Sequence, residues 1–271
     1  MSTRPPLTIV LPCFNEGSQI VRSLETLDGW FGSAAEVLII DDGSSDDTAE
    51  QARAFAASHA NVRVHRLPVN GGKGRAIRSA IPLASGESVL LMDSDLAYDR
   101  DSAQRALDAL AAADMAVGNR RHALSRYSVP VSLFGFLYRR HLVGWTFNAC
   151  VRALLNIQLR DTQCGLKGFR REALERIGAS LTTEGFAIDV EMFLVARALG
   201  LRLSEVPVHV TYRSAKSSVK LIRSGVAMAG ELLRLAARRA LGRYSPARVA
   251  AASAARSQPK PAARSAEESI R

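Results

Sequence analysis

The sequence predicts an α/β protein built on a mostly parallel sheet with helices on both faces. Three observations predict it. Short, compact apolar runs alternate with helix-length stretches through the first half of the chain, the order that gives parallel strands joined by crossover helices. The runs have the character of strands buried on both faces. Polar clusters follow them directly, where ligands bind in such sheets, outside the carboxyl ends of the strands.

The elements follow in order. Residues 7–11 form a strand ending at Pro12, and residues 18–27 a helix. Residues 37–40 form a second strand, ending in Asp41-Asp42-Gly43. A helix over 45–57 carries Asp46 and Asp47 in its first turn, where acidic groups suit the helix dipole. Residues 62–64 are a third strand, and 74–83 a helix with an irregularity at Pro82. The strand over 89–92 ends at Asp93, a helix spans 101–112, and a fifth strand spans 115–117.

The second half differs. Residues 133–155 are rich in aromatic and aliphatic side chains interrupted by Arg139, Arg140, His141 and Arg152. A helix over 189–199 and a strand over 203–210 come next, then a basic, apolar-striped helix over 219–241. From Ser245 the chain is rich in Ala, Ser, Pro and Arg without periodicity, which predicts a disordered basic tail over 244–271. The expected organisation is one domain over 1–243, with a nucleotide half near 7–120 and an acceptor- and membrane-facing half over 121–243.

Composition bounds the function. The 47% of hydrophobic residues are enough for a folded core, so disorder of the whole chain is excluded. The net charge of +10 asks for an anionic partner, but much of it sits between Arg234 and Arg264. No nucleic-acid-binding motif accompanies it, so no nucleic-acid partner is expected. Three widely spaced cysteines make neither a disulfide framework nor a CxxC metal site. The N-terminus is too polar for a signal peptide, and a reducing, cytoplasmic setting is expected. No run reaches the ~18 apolar residues of a spanning helix, so no transmembrane helix is expected.

Three clusters carry chemistry. Asp93-Ser94-Asp95 presents two carboxylates at a strand end, suited to a hard divalent cation that also takes phosphate oxygens. Acidic strand-to-loop junctions are common, so the pair alone is weak. Asp41-Asp42-Gly43-Ser44-Ser45-Asp46 reads in part as a turn into a capped helix, yet a cap does not need an acidic pair; a carboxylate here suits a ribose hydroxyl or a base N–H. Asn70-Gly71-Gly72-Lys73-Gly74-Arg75 is a Gly-rich loop opening a helix, suited to phosphate, though its spacing is neither a Walker loop nor GxGxxG.

Together, PCFNEG, IDDGSSDDT, NGGKGRAIRSA and MDSD resemble family-two glycosyltransferases, inverting enzymes of the GT-A (Rossmann-like) fold. The strings RDTQCGLKGFRREAL, EGFAIDVEM and EVPVHV resemble the polyprenyl-phosphate sugar transferases of the dolichyl-phosphate β-glucosyltransferase and dolichol-phosphate mannose synthase type. The resemblance runs from about Leu7 to Arg243; the apolar stripe of 219–243, with Arg234, Arg238, Arg239 and Arg243, reads as C-terminal amphipathic helices suited to a membrane surface. The resemblance implies a nucleotide pocket of Pro12, Asn15, Glu16, Asp42, Gly71, Lys73, Gly74 and Asp93, with Mg2+ or Mn2+ on Asp93 and Asp95. It places Arg120 near the donor's sugar or phosphates, and Asp161, Thr162, Gln163 and Gly165 in a D-T-x-x-G element flanking the acceptor. Asp189 and Glu191 fall in a helix that closes the site. Arg213, Ser218 and Lys220 fall near a phosphate-binding entry motif whose spacing is shifted here. That shift, and Ala97 where mannose synthases often have Gln, favour the glucosyl-type relatives.

The implied reaction is inverting transfer of a hexose, glucose first, from UDP-glucose (GDP-mannose second) to a polyprenyl monophosphate. It is expected at the cytoplasmic face of a membrane, with the protein peripheral there or working with a membrane-protein partner. A dianionic phosphate acceptor needs no general base. A hydroxyl acceptor would need one, and Asp189 is then the candidate, its alternative being a carboxylate that braces the pocket. A non-catalytic nucleotide-sugar-binding protein is the reading from another class; the intact Asp93 and Asp95 pair speaks against it. Residues 133–155 read equally as an interfacial helix or a buried one.

Overall fold

The computed structural model describes residues 5–212 and 221–257. The chain runs β1 (Leu7–Cys13), α1 (Ile20–Phe31), β2 (Ala35–Asp41), α2 (Thr48–Ala56), β3 (Val62–Arg66), α3 (Lys73–Ala80), β4 (Ser88–Leu91), α4 (Arg100–Ala109) and β5 (Met115–Asn119). It continues with β6 (Arg126–Ser128), α5 (Phe134–Leu155), β7 (Lys167–Arg170), α6 (Arg171–Gly178), α7 (Ile188–Ala198), β8 (Leu203–Pro207), β9 (His209–Thr211), α8 (Leu221–Ala240) and α9 (Pro246–Ser257).

Seven strands form one sheet in the order β3-β2-β1-β4-β7-β5-β8. All its pairings are parallel except those of β7, which runs antiparallel to both β4 and β5. Strand β2 is buried at every position, because helices cover both faces. The pleat sends alternate residues of β1 to opposite layers: Ile9 and Leu11 pack with Leu24 and Ala103, while Val10 packs with Ile77 and Leu194. Helix α3 ends at Ala80, and Ile81, just before Pro82, still holds helical backbone angles (φ −54°, ψ −49°) as its C-cap.

Two expectations fail. The strand expected over 203–210 is two strands, β8 in the main sheet and β9 paired with β6. Pro207 has no N–H with which to continue a ladder, and the Val208 N–H turns to Ser125 Oγ at 2.9 Å. The tail expected to be disordered from 244 holds α9, whose Val249 is buried. Alanine is the best helix former, and Val249 and Ser253 lie four apart on one buried face.

The direction of β7 positions the site. Leu91 of β4 and Val117 of β5 both pair with Lys167 at the start of β7. The segment entering β7 therefore arrives at the carboxyl ends of its neighbours, beside Asp93 and Arg120.

Candidate active site

The strand order reverses between β1 and β4, and the polar clusters gather at that switch point, as in other open α/β sheets. After β1, Asn15 adopts a left-handed φ of 56°, a conformation Asn tolerates. Its Oδ1 accepts the Ser45 N–H at 2.8 Å, and its own N–H reaches Ser44 Oγ at 2.9 Å. The Glu16 N–H donates to Thr48 Oγ1 at 2.8 Å and the Gly17 N–H to Asp46 Oδ2 at 3.0 Å. The acidic run after β2 thus stitches the first loop to α2. Burial raises the Glu16 carboxyl above its ordinary range.

Asp42 is buried, and its carboxylate takes the N–H groups of Gly71 (3.0 Å) and Gly72 (2.6 Å) and the Asn70 side-chain amide (2.9 Å). These are the loop amides that the sequence offers to phosphate; here a carboxylate 28–30 residues earlier in the chain holds them. Gly72, at φ 93°, also lies so close to the Glu184 carbonyl that no side chain fits there.

Below this loop lie two acids and two lysines. Lys73 Nζ is 3.0 Å from Asp93 Oδ1 and 3.2 Å from Asp189 Oδ2. The other Asp189 oxygen takes Lys167 Nζ at 2.8 Å, and Lys167 also donates to the Cys164 carbonyl at 2.5 Å. Lys167 and Asp189 are 1% and 3% exposed, so each needs the other. Burial opposes the charge on Lys73, yet Asp189 and Asp93 outweigh it and lift the ammonium above its usual pKa. Partial desolvation likewise opposes ionisation of Asp93, and Lys73 outweighs it and holds that carboxyl below the usual range. Gly165 packs on Asp93 from the other side: a β-carbon there would collide with Oδ2.

Arg120, just past β5, is clamped edge-on by Asp161. Its Nε is 2.7 Å from Oδ2 and its Nη2 2.8 Å from Oδ1, and its backbone N–H adds 3.0 Å to Oδ2. Burial opposes ionisation of both, but the pair holds Asp161 below and Arg120 above their ordinary values. Thr162 Oγ1 donates to Asn148 Oδ1 of α5 at 2.9 Å. The Gly165 N–H and the Cys164 thiol both reach the Tyr98 hydroxyl, at 3.0 and 3.3 Å. Burial pushes the Cys164 thiol up to about 11, so it is an unreactive packed group.

Asp95 is exposed beyond β4, with one oxygen accepting the Ala97 N–H at 3.2 Å. The hard oxygens of Asp93 and Asp95 fit Mg2+ or Mn2+, which take one or two carboxylates and complete their shell with water and substrate phosphate. Among the described residues no three His, Cys, Asp or Glu gather into a metal cage.

The sequence model described as "Glycosyl transferase family 2" matches residues 8–178, from β1 to the end of α6. The chain belongs to this family. Among its relatives, the dolichyl-phosphate beta-glucosyltransferase of Drosophila melanogaster is 32% identical over 224 residues, covering 76% of this chain and 67% of that one. Glycosyltransferase AglD of Haloferax volcanii is 29% identical over 235 residues, 84% of this chain but only 36% of AglD. Among solved structures, glucosyl-3-phosphoglycerate synthase of Mycobacterium tuberculosis with UDP gives a TM-score of 0.62 at 22% identity, covering 87% of this chain and 81% of that one. The same synthase with Mn2+ and UDP-glucose gives 0.58 at 20%, covering 85% and 77%. These likenesses show the GT-A fold.

In this family-two chain, Pro12, Lys73, Asp93 and Asp189 line one cleft together with Gly165 and Lys167; Asp42 holds the Gly71 and Gly72 amides at the start of the Lys73 helix, and the Arg120–Asp161 pair is a separate clamp on the segment that leads to Gly165. Arg213, Ser218 and Lys220 lie outside the described residues. Glu191 faces away: fully buried, it accepts the N–H groups of Thr182 (2.9 Å) and Thr183 (2.7 Å) and the Tyr244 hydroxyl (2.7 Å). Sequence reasoning missed Lys167. Its signal was a lysine inside the strand string GLKGF, which demands a buried carboxylate partner.

Proposed function

We propose that this chain transfers a hexose, glucose first, from a nucleotide sugar to a polyprenyl monophosphate, with inversion at the sugar C1. The observation that carries the reading is the contact of the D-T-Q-C-G element with both ends of the chemistry. Asp161 grips Arg120, and Gly165 packs on Asp93. That element resembles the polyprenyl-phosphate transferases, and the dolichyl-phosphate beta-glucosyltransferase relatives agree with it.

Each residue then has a task. The cleft rim at Pro12, Asp42 and the Gly71–Gly74 loop receives the nucleotide. Asp93 and Asp95 hold Mg2+ or Mn2+, which when bound neutralises the leaving diphosphate; the synthase with Mn2+ and UDP-glucose supports a divalent ion of this kind. Asp161 fixes the Nε/Nη2 edge of Arg120, and we assign the remaining guanidinium N–H groups to the acceptor phosphate. A phosphate monoester is largely dianionic at neutral pH, its second pKa being about 6, so alignment and charge neutralisation suffice. Asp189 is then a brace. Both of its oxygens are engaged by lysines, which is poor geometry for taking a proton.

A lipid acceptor requires docking at a membrane surface, for which the cytoplasmic face is our reading. No helix among the described residues is long and apolar enough to cross a membrane. Helix α5 buries Val151 and Leu155 yet exposes Leu142, Val143, Trp145 and Leu154, so it is both a packed helix and an apolar surface. Helix α8, packed beside it, exposes Leu233 and Arg234, a combination suited to anionic headgroups.

The test is a transfer assay. Purified protein with Mn2+ or Mg2+ is incubated with labelled UDP-glucose or GDP-mannose, with and without polyprenyl phosphate, and extracted into organic solvent. Metal-dependent label in the lipid phase is expected, from UDP-glucose first. Folded, nucleotide-binding protein that gives no lipid label with either donor overturns the lipid-phosphate acceptor and moves the search to hydroxyl acceptors.

A further inference from the structure

The four-charge cluster bears on how the cation reaches Asp93. Of the two Asp93 oxygens, Oδ2 is walled by Gly165, whose missing β-carbon leaves only enough room for the carboxylate itself. The Asp93 side chain as a whole is 41% exposed, which leaves Oδ1 as the oxygen not walled by Gly165. Lys73 Nζ already stands 3.0 Å from Oδ1. A hard divalent ion such as Mg2+ bonds an oxygen ligand at about 2.0–2.1 Å. An ammonium and a dication on one oxygen face each other across a few ångströms with like charge, and the resulting repulsion is large in a cleft of reduced dielectric.

Lys73 is not free to swing far. Asp189 Oδ2 holds it at 3.2 Å, and Asp189 is itself pinned by Lys167 at 2.8 Å. Lys167 also ties to the Cys164 carbonyl, adjacent to Gly165. The pinning matters for charge. Without Lys167, Asp189 would carry an unshared negative charge and draw Lys73 away from Asp93. With it, Asp189 is half satisfied and Lys73 remains divided between the two acids.

We propose that Lys73 is a positioning residue that competes with the divalent cation for Asp93, so that the cation binds well only when a nucleoside diphosphate offers Lys73 another anionic partner. Lys167 and Asp189 set the balance of that competition. The inference rests on the assignment of the cation to Asp93 and Asp95 made above. It makes metal and donor binding mutually dependent, and such coupling is reciprocal: each strengthens the other by the same factor.

The experiment is Mn2+ binding, read by the electron paramagnetic resonance signal of free Mn2+, with no sugar, acceptor or turnover. Wild type, Lys73→Met and Asp189→Asn are titrated with and without UDP, and circular dichroism melts establish folding. Wild type is expected to bind Mn2+ weakly alone and much more tightly with UDP. Lys73→Met is expected to bind Mn2+ alone more tightly than wild type, on the order of tenfold, and to gain less from UDP. Asp189→Asn, which leaves Lys73 wholly to Asp93, shifts affinity the other way. Should Lys73→Met lose its melting transition, Lys73→Gln replaces it with the same expectation. Wild type that binds Mn2+ with UDP, beside a folded Lys73 variant with unchanged affinity for Mn2+ alone, overturns this inference and leaves the metal assignment standing. No Mn2+ binding by wild type under either condition overturns both.

Discussion

Gly165 and Asp93 touch with no space for a β-carbon between them, although the two are 72 positions apart in the sequence. The antiparallel β7 brings this about, delivering its entry segment to the carboxyl end of β4. Gly165→Ala is therefore expected to push the Asp93 carboxylate off its position without removing any charged group. Because Asp93 is partly open to the cleft, the side chain has room to yield, and the fold should survive. The expected outcome is a fall in turnover of about 100-fold, the scale of a misplacement near 1 Å, with a melting transition close to wild type. Parallel measurement of transfer rate and thermal melting checks it.

The Arg120–Asp161 clamp predicts a pH dependence of stability. The folded-state pKa of Asp161 is depressed, so the unfolded chain binds more protons between that value and the ordinary value of about 3.9. Stability contributed by this carboxylate is present above the unfolded value and is lost as pH falls through the folded one. Asp161→Asn leaves the Arg120 charge buried without its partner, at a cost of about 3–5 kcal/mol at neutral pH. Urea unfolding at pH 7, 5 and 3.5 is expected to show a large deficit for the variant at pH 7 and 5 that narrows at pH 3.5. A constant deficit would remove Asp161 from the acid response.

Asp95 is exposed beyond β4, so exchange for the isosteric Asn should leave the fold alone. Asp95→Asn is expected to lower turnover by about 100- to 1,000-fold, the scale of losing one electrostatic stabiliser of a leaving charge. Excess EDTA should silence the wild type, and Mn2+ or Mg2+ should restore it. Retention of most activity by the variant would remove Asp95 from the metal site.

The last described helix is part of the fold. Val249 of α9 is buried against the core, and Tyr244, just before α9, donates its hydroxyl to the fully buried Glu191 at 2.7 Å. Val249→Asp is expected to destabilise by at least about 3 kcal/mol, since it buries an unpaired charge. Tyr244→Phe should cost about 1–3 kcal/mol by removing one donor from Glu191. Chemical denaturation of both variants tests whether α9 melts with the domain.

Much of this was legible in the sequence, and the remainder has physical causes. The strand runs around Ile9, Ile39 and Leu90 announced the parallel sheet because buried strands are continuous in apolar character. Asp42, Asp93 and Asp95 were visible as acids at strand ends. What they touch was not: the Gly71 and Gly72 amides look like a phosphate cradle until the sheet brings Asp42 across to them. The direction of β7 was invisible because a strand's sequence does not name its neighbour. Helix α9 was misread because its alanines supply helix propensity without a hydrophobic stripe, and Val249 alone marks its buried face.

Membrane docking gives the last prediction. Trp145 is 60% exposed and Leu142 55%, and both project from α5 one turn or less from each other, while Val151 and Leu155 anchor the same helix in the core. Changing the exposed pair leaves that anchor intact. On α8, Arg234 is exposed, whereas Arg239 donates to the Leu154 carbonyl at 3.0 Å and Arg238 to Thr182 Oγ1. Arg234 is therefore the cleaner probe of headgroup attraction. Leu142→Ser with Trp145→Ser is expected to weaken flotation with anionic phospholipid vesicles by about tenfold or more, as two apolar side chains lose burial. Arg234→Glu should weaken it less, and only at low salt, since surface attraction is screened within a Debye length of about 10 Å at 0.1 M. Vesicle binding by the double variant equal to wild type would take α5 off the membrane.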